Sequence, residues 1–138
     1  MLNKLRIETW AYLYGMLFFI LIGLNFLSFL FREDGKLIGG FAFGDNANIL
    51  HVLSGMWALT ALWYSRNAIL YYFKIFGTLY LLDDLVGLVV GKTFLNLNLF
   101  DPQIQAHGDM LTRIILTSPH IIIGGLAMLL GFIFYKKL

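Results

Sequence analysis

The chain has 138 residues, of which 59% are hydrophobic and 13% charged, with a formal charge of +2 and a mean hydropathy of +0.78. Soluble domains carry about 25% charged residues, so a chain wetted on every side is excluded, and the few scattered cations give no footprint for nucleic acid. Cysteine is absent, which removes disulfides, thiolate metal ligands and cysteine nucleophiles.

Lys4 and Arg6 precede the first apolar run, 9–31, which only Asn25 and Ser28 interrupt. The run is too long for a signal-peptide core and has no clear Ala-x-Ala cleavage site, so it reads as an uncleaved first membrane helix. Residues 32–46 follow as an irregular loop rich in glycine (Gly35, Gly39, Gly40, Gly44). The second span, 47–64, contains His51, and Asp45 is placed to cap it. A few residues around Ser65, Arg66 and Asn67 lead to the third span, 68–90, so these two helices are expected to be antiparallel neighbours. The third span carries Lys74, whose long stem can snorkel to the headgroups, and the adjacent pair Asp83 and Asp84.

Residues 91–118 are long for a loop without structure of its own. Asp101-Pro102 resembles an N-cap with proline at the first helical position, and Ile104, Leu111, Ile114 and Ile115 recur at helical spacing, so a short interfacial helix is expected there. Ser118-Pro119 makes the same signal for the fourth span, 119–135. That span measures only about 25 Å against a hydrocarbon core of ~30 Å; it must stand upright or gain length from the segment before Pro119. The expected fold is an all-α integral membrane four-helix bundle, one domain over 1–138.

Four spans put both termini on one side. That side collects Lys4, Arg6, Arg66, Lys74, Lys136 and Lys137, against Arg32, Lys36, Lys92 and Arg113 opposite. The excess of Lys and Arg assigns the termini to the cytoplasm of a bacterial inner-membrane type of cell membrane. Trp10, Trp63, Tyr64, Tyr71, Tyr72 and Tyr135 would form an aromatic belt on that side. The lipid bilayer is the expected partner, with a homo-oligomer or a larger membrane complex open.

The second and fourth spans begin alike, His51-Val-Leu-Ser-Gly55 and His120-Ile-Ile-Ile-Gly124, and the first and third share Tyr14-Gly15-Met-Leu-Phe and Phe76-Gly77-Thr-Leu-Tyr. This pattern predicts two helical hairpins repeated in parallel, related by an approximate two-fold axis along the membrane normal, with the histidines facing each other. The layout resembles a family of small bacterial four-helix membrane proteins of unknown function, whose second and fourth helices open with an Asn-x-x-His-x-x-x-Gly-like motif. Asn48, His51 and Gly55 match it, then His120 and Gly124, whereas Thr117 stands where the motif has asparagine. DoxX-like bundles are looser relatives by architecture. The resemblance implies fold and location, and no activity.

A carboxylate near the middle of a bilayer costs about 2.5–3.5 kcal/mol even on the lenient insertion scale, so Asp83 and Asp84 must face protein, water or a cation. They lie roughly 10–12 Å below the outer edge, with His51 about four residues into its span and His120 one or two into its own. Adjacent helical residues diverge by ~100°, so one aspartate at most faces the axis; Arg113 is the candidate counter-charge. The primary reading is a binding or accessory protein whose outward-opening polar pocket, lined by His51, Asp83, Asp84 and His120, takes a proton, a cation or a small polar ligand, with no cofactor required. The rival is a small membrane enzyme or redox subunit. It would hold a metal through His51, His120 and Asp84, with His107 and Asp109 as additions, or haem b between the two histidines. A third reading is structural: histidines bonded between helices, and Gly87-x-x-x-Gly91, Gly55 with Ala58, and Ala127-x-x-x-Gly131 as close-packing contacts.

Overall fold

A computed structural model describes residues 6–31, 33 and 45–135. Among these the chain is all-helical and has no strand: α1 (Ile7–Phe31), α2 (Asp45–Tyr64), α3 (Arg66–Val90) and α4 (Met110–Tyr135), with a 3-10 turn at Asn98–Phe100. Lys4, Arg32, Lys36, Lys136, Lys137 and the loop glycines Gly35, Gly39, Gly40 and Gly44 lie outside the described residues, as do the side chains of Ser28, Asp45 and Tyr135. The chain divides into two compact units, Met1–Ile69 and Leu70–Leu138.

In the first unit α1 buries Ile7, Ala11, Tyr14 and Phe18, one stripe at helical spacing, and α2 buries His51, Ser54, Ala58 and Ala61. The two helices run antiparallel in close register. A Cβ added at Gly15 would lie 2.6 Å from the Leu59 side chain, and one at Gly55 would lie 3.2 Å from Phe18 Cβ. Near the C-terminus of α1 and the N-terminus of α2 the Asn25 amide donates to Asn48 Oδ1 at 3.2 Å. Asn48, His51 and Gly55 fall on one helical face because their spacings are three and four residues. The Asn-x-x-His-x-x-x-Gly pattern is therefore the surface by which α2 meets α1.

In the second unit α3 and α4 also pack antiparallel, with backbones close enough to require glycine. A Cβ on Gly77 would strike the Met128 backbone nitrogen, one on Gly124 would sit 2.9 Å from Leu81 N, and one on Gly131 2.7 Å from Lys74 N. Small residues at such a seam let helices approach without a side-chain layer between them. Lys74 caps this contact by placing Nζ 5.3 Å from the Phe132 ring centroid, a cation–π contact.

The two registers coincide. Gly15 meets Leu59 as Gly77 meets Met128, Phe18 meets Gly55 as Tyr80 meets Gly124, and Asn25 meets Asn48 as Gly87 meets Thr117. Adding 62 to the first-helix numbers and 69 to the second-helix numbers converts one set into the other.

Three expectations are corrected. The fourth helix begins at Met110 rather than Pro119 and holds Pro119 in its interior. Its 26 residues span about 39 Å at 1.5 Å per residue, so the length comes from the segment before Pro119. Asp109 supplies the cap, its Oδ2 accepting the Thr112 N–H at 2.8 Å. Pro119 has no N–H for the Ile115 carbonyl, and the Ser118 hydroxyl donates to that carbonyl at 3.3 Å instead; Ser118 thus sustains the helix where the sequence signal makes it start one. Second, no helix follows Asp101-Pro102. The Asp101 carboxylate turns back to accept the Gln103 N–H at 2.8 Å, an Asx-turn, and the interfacial helix expected in 91–118 is replaced by a 3-10 turn, a loop and the first turns of α4. Third, Tyr72 is 0% exposed and stacks on Phe76 at 5.1 Å, so it belongs to the core and not to an aromatic belt.

Candidate functional site

Asp83 and Asp84 diverge as adjacent helical residues must, and each finds a different partner. Asp83 turns towards the loop that follows α3. Its Oδ1 accepts the backbone N–H of Phe94 and that of Leu95, the latter at 2.9 Å. The carboxylate therefore folds residues 91–97 back over the helix end. Gly91 makes this return possible: its φ of 80° is a left-handed helix-ending conformation natural to glycine. Its carbonyl accepts the His107 N–H at 3.2 Å. Gly87-x-x-x-Gly91 is accordingly part packing contact and part helix terminus, with a Cβ on Gly87 meeting Thr93 at 2.8 Å.

Asp84 points across the seam to α4. Its Oδ1 lies 3.5 Å from His120 Nδ1, with the aspartate side chain 3% exposed and the histidine 34%. The Asp84 Oδ2 atom is buried and has no hydrogen-bond partner. The Tyr80 ring stands edge-on to the imidazole, centroids 6.2 Å apart, and Gly124, one turn along α4, is the close-approach point that brings the two helices together. The His-x-x-x-Gly spacing thus has a mechanical meaning: the glycine sets the approach, and the histidine one turn away meets what the opposite helix offers. Asp84 lies six residues before the end of α3 and His120 ten residues into α4, or about 9 Å and about 15 Å along their helices. His120 is therefore far deeper in its helix than a start at Pro119 implied.

His51 belongs to the first unit, where it is 3% exposed and stacks against Phe18 with centroids 5.7 Å apart. In the register of the two hairpins Phe18 corresponds to Tyr80, and Ile22 to Asp84.

Arg113 is not the counter-charge of the aspartates. Its guanidinium donates to the Val89 carbonyl at 2.7 Å, to the Leu88 carbonyl at 3.5 Å and to the His107 carbonyl at 2.7 Å, so it closes the C-terminus of α3, where carbonyls lack helical partners. Lys92 likewise donates to the Asp101 carbonyl at 3.2 Å. His107 and Asp109 are exposed, and Asp109 serves as the α4 cap. The Thr112 backbone N–H holds the Asp109 carboxyl below the usual carboxylate range. Among the described residues no group of three or more His, Asp or Glu side chains converges as a metal site.

The sequence offered Tyr80 only as the end of the Phe76-Gly77-Thr-Leu-Tyr repeat and Gly91 only as a packing residue of Gly87-x-x-x-Gly91; the contact of Tyr80 with His120 and the loop-closing role of Gly91 depend on how 92–107 returns. No family model matches the chain, and no curated protein and no solved structure matches it.

Proposed function

We propose that the chain is a small multi-pass membrane protein whose four helices cross the bilayer as a bundle of two repeated hairpins. Its role on this reading is binding or accessory, centred on the polar site at Asp84 and His120. The observation that carries it is the inside-out character of α3. Its exposed stripe is Tyr71, Ile75, Leu79, Leu82, Leu85 and Val89, whereas Asp83 and Asp84 are buried. A soluble helix has the opposite polarity; a membrane helix hides its carboxylates from lipid. The apolar windows of α1 and α4, Ile7–Leu27 and Met110–Ile133, are long enough to span and only 22% and 28% buried, where the core helix of a soluble protein would be mostly covered. The shared contact register of the hairpins supports a duplication, in line with the resemblance to small bacterial four-helix membrane proteins. The Lys and Arg distribution supports cytoplasmic termini.

The absence of cysteine makes single-cysteine variants unambiguous reporters. An impermeant thiol reagent applied to intact cells is expected to label Glu33→Cys and Gln105→Cys, and Asn67→Cys only after permeabilisation. Labelling of Asn67→Cys and Gln105→Cys from the same side would overturn the topology.

A second reading, a metal or haem held through His51 or His120 with Asp83 or Asp84, has one observation in its favour. A carboxylate beside one imidazole nitrogen is the arrangement that orients metal-bound histidines. A Soret band or stoichiometric metal in the purified protein would establish it.

A further inference from the structure

Resting on the membrane reading above, we infer that residues 93–100 form a re-entrant loop that sets Leu97 and Phe100 among the acyl chains of the leaflet remote from the termini. Asp83 lies seven residues before the end of α3, about 10 Å along its axis. Its carboxylate nevertheless accepts the Phe94 and Leu95 amides. A Cβ on Gly87, three residues before the same helix end, would lie 2.8 Å from the Thr93 methyl. The chain that leaves α3 is therefore drawn back alongside the helix instead of standing beyond it.

The segment is built for that depth. Phe94, Leu95, Leu97, Leu99 and Phe100 are apolar, and Leu97 is 57% and Phe100 70% exposed. Non-helical backbone is tolerated at membrane depth only where its polar groups find partners inside the protein. Here the Leu97 amide donates to the Phe94 carbonyl at 3.0 Å, Leu99 to Thr93 at 2.8 Å, Phe100 to Leu97 at 3.0 Å and Asp101 to Asn98 at 3.4 Å. The Asn98 amide donates to Asn96 Oδ1 at 3.1 Å. Past Asp101 the character changes: Gln103, Gln105, His107 and Asp109 are exposed, and the chain returns to water. Lys92 donates to the Asp101 carbonyl at 3.2 Å and so closes the neck of the apolar segment.

Leu97 carries a second, independent sign. Its φ of 66° is the one positive value at a non-glycine among the described residues, in the left-handed region that suits glycine and asparagine. Asn96 and Asn98 stand on either side, so the better-suited residue type flanks the position and leucine occupies it. In water neither that backbone nor that exposed side chain gains anything. Among acyl chains the side chain gains its transfer from water.

The chain has no cysteine, so nitroxides can be placed singly in the full chain in phosphatidylcholine vesicles. Labels at Leu97→Cys and Phe100→Cys are expected to relax strongly with oxygen, and several-fold less with a water-soluble nickel chelate than a label at Gln103→Cys. Asp83→Ala frees the Phe94 and Leu95 amides and should raise nickel access at Phe100→Cys several-fold; Asp83→Asn keeps an acceptor oxygen and should raise it less. Free nickel access at the two loop labels would overturn the proposal. Access to neither reagent, or spin–spin broadening that disappears on dilution with unlabelled chain, would also overturn it by placing the two side chains against a second copy. A label at Ile122→Cys, 68% exposed on α4, keeps the two readings apart. If it is in lipid while the loop labels are wet, the loop proposal alone fails; if it too is wet, the membrane reading fails with it.

Discussion

Gly124 and Gly125 are neighbours in α4 and offer a controlled contrast. At Gly124 an added Cβ would sit 2.9 Å from Leu81 N and 3.0 Å from Tyr80 Cβ, whereas at Gly125 nothing lies within 4 Å. The atoms met at Gly124 are backbone and the root of a buried side chain, which cannot swing away, so the helices must separate. Overpacking of this kind costs about 1–3 kcal/mol, offset in part by the ~0.5–1 kcal/mol that alanine gains over glycine inside a helix. Gly125→Ala receives the gain without the cost. Equilibrium unfolding in mixed micelles, followed by circular dichroism, is expected to rank Gly125→Ala at or above wild type. Gly124→Ala should fall about 1–3 kcal/mol below Gly125→Ala, the size of the overpacking term. Equal stability of the two variants would refute the close-approach seam, and with it the explanation of the His-x-x-x-Gly spacing.

Asp83→Ala should leave the part-buried amides of Phe94 and Leu95 without an acceptor, at about 2–4 kcal/mol for the two. Asp83→Asn keeps an acceptor oxygen and should cost less; faster amide exchange at 94 and 95 in the alanine variant checks the assignment. Ser118→Ala removes the donor to the Ile115 carbonyl and should destabilise α4 by about 0.5–1.5 kcal/mol, whereas Thr60→Val, at an exposed position, should not. The Asp109 carboxyl is held below its usual range by the Thr112 N–H. A depressed carboxyl stabilises the fold at pH above its unfolded value and loses that contribution as pH falls through the folded one. Amide protection at Thr112 should therefore persist to below the ordinary carboxylate range in wild type and be lost at all pH in Asp109→Ala.

The helices were legible in the sequence as long apolar runs separated by polar or glycine-rich connections, and three of the four came out within two residues of their expected ends. The fourth failed at Pro119 for a local reason. Ser-Pro carries the same signal whether it caps a helix or repairs one, and only the partner of the serine hydroxyl, here the Ile115 carbonyl, separates the two. Asp101-Pro102 misled in the same way, since aspartate can cap a turn as well as a helix. Of the site, the divergence of Asp83 and Asp84 followed from helix geometry alone. What each one meets did not, because the loop that Asp83 gathers and the contact from Asp84 to His120 depend on where 92–107 returns and on the register set by Gly77, Gly124 and Gly131. Arg113 was misassigned by charge alone; two carbonyls at the end of α3 and the His107 carbonyl of the returning loop are the partners its fork geometry serves.

The proposed membrane embedding of the hairpin that carries Asp84 and His120 is tested most directly by a nitroxide placed two residues from the histidine. Ile122 is 68% exposed and lies within the Met110–Ile133 window. In lipid vesicles a label at Ile122→Cys should relax strongly with oxygen and hardly at all with a water-soluble nickel chelate, while a label at Gln105→Cys should show the reverse. A label at Ile122→Cys that is freely reached by the nickel chelate would contradict an intramembrane site.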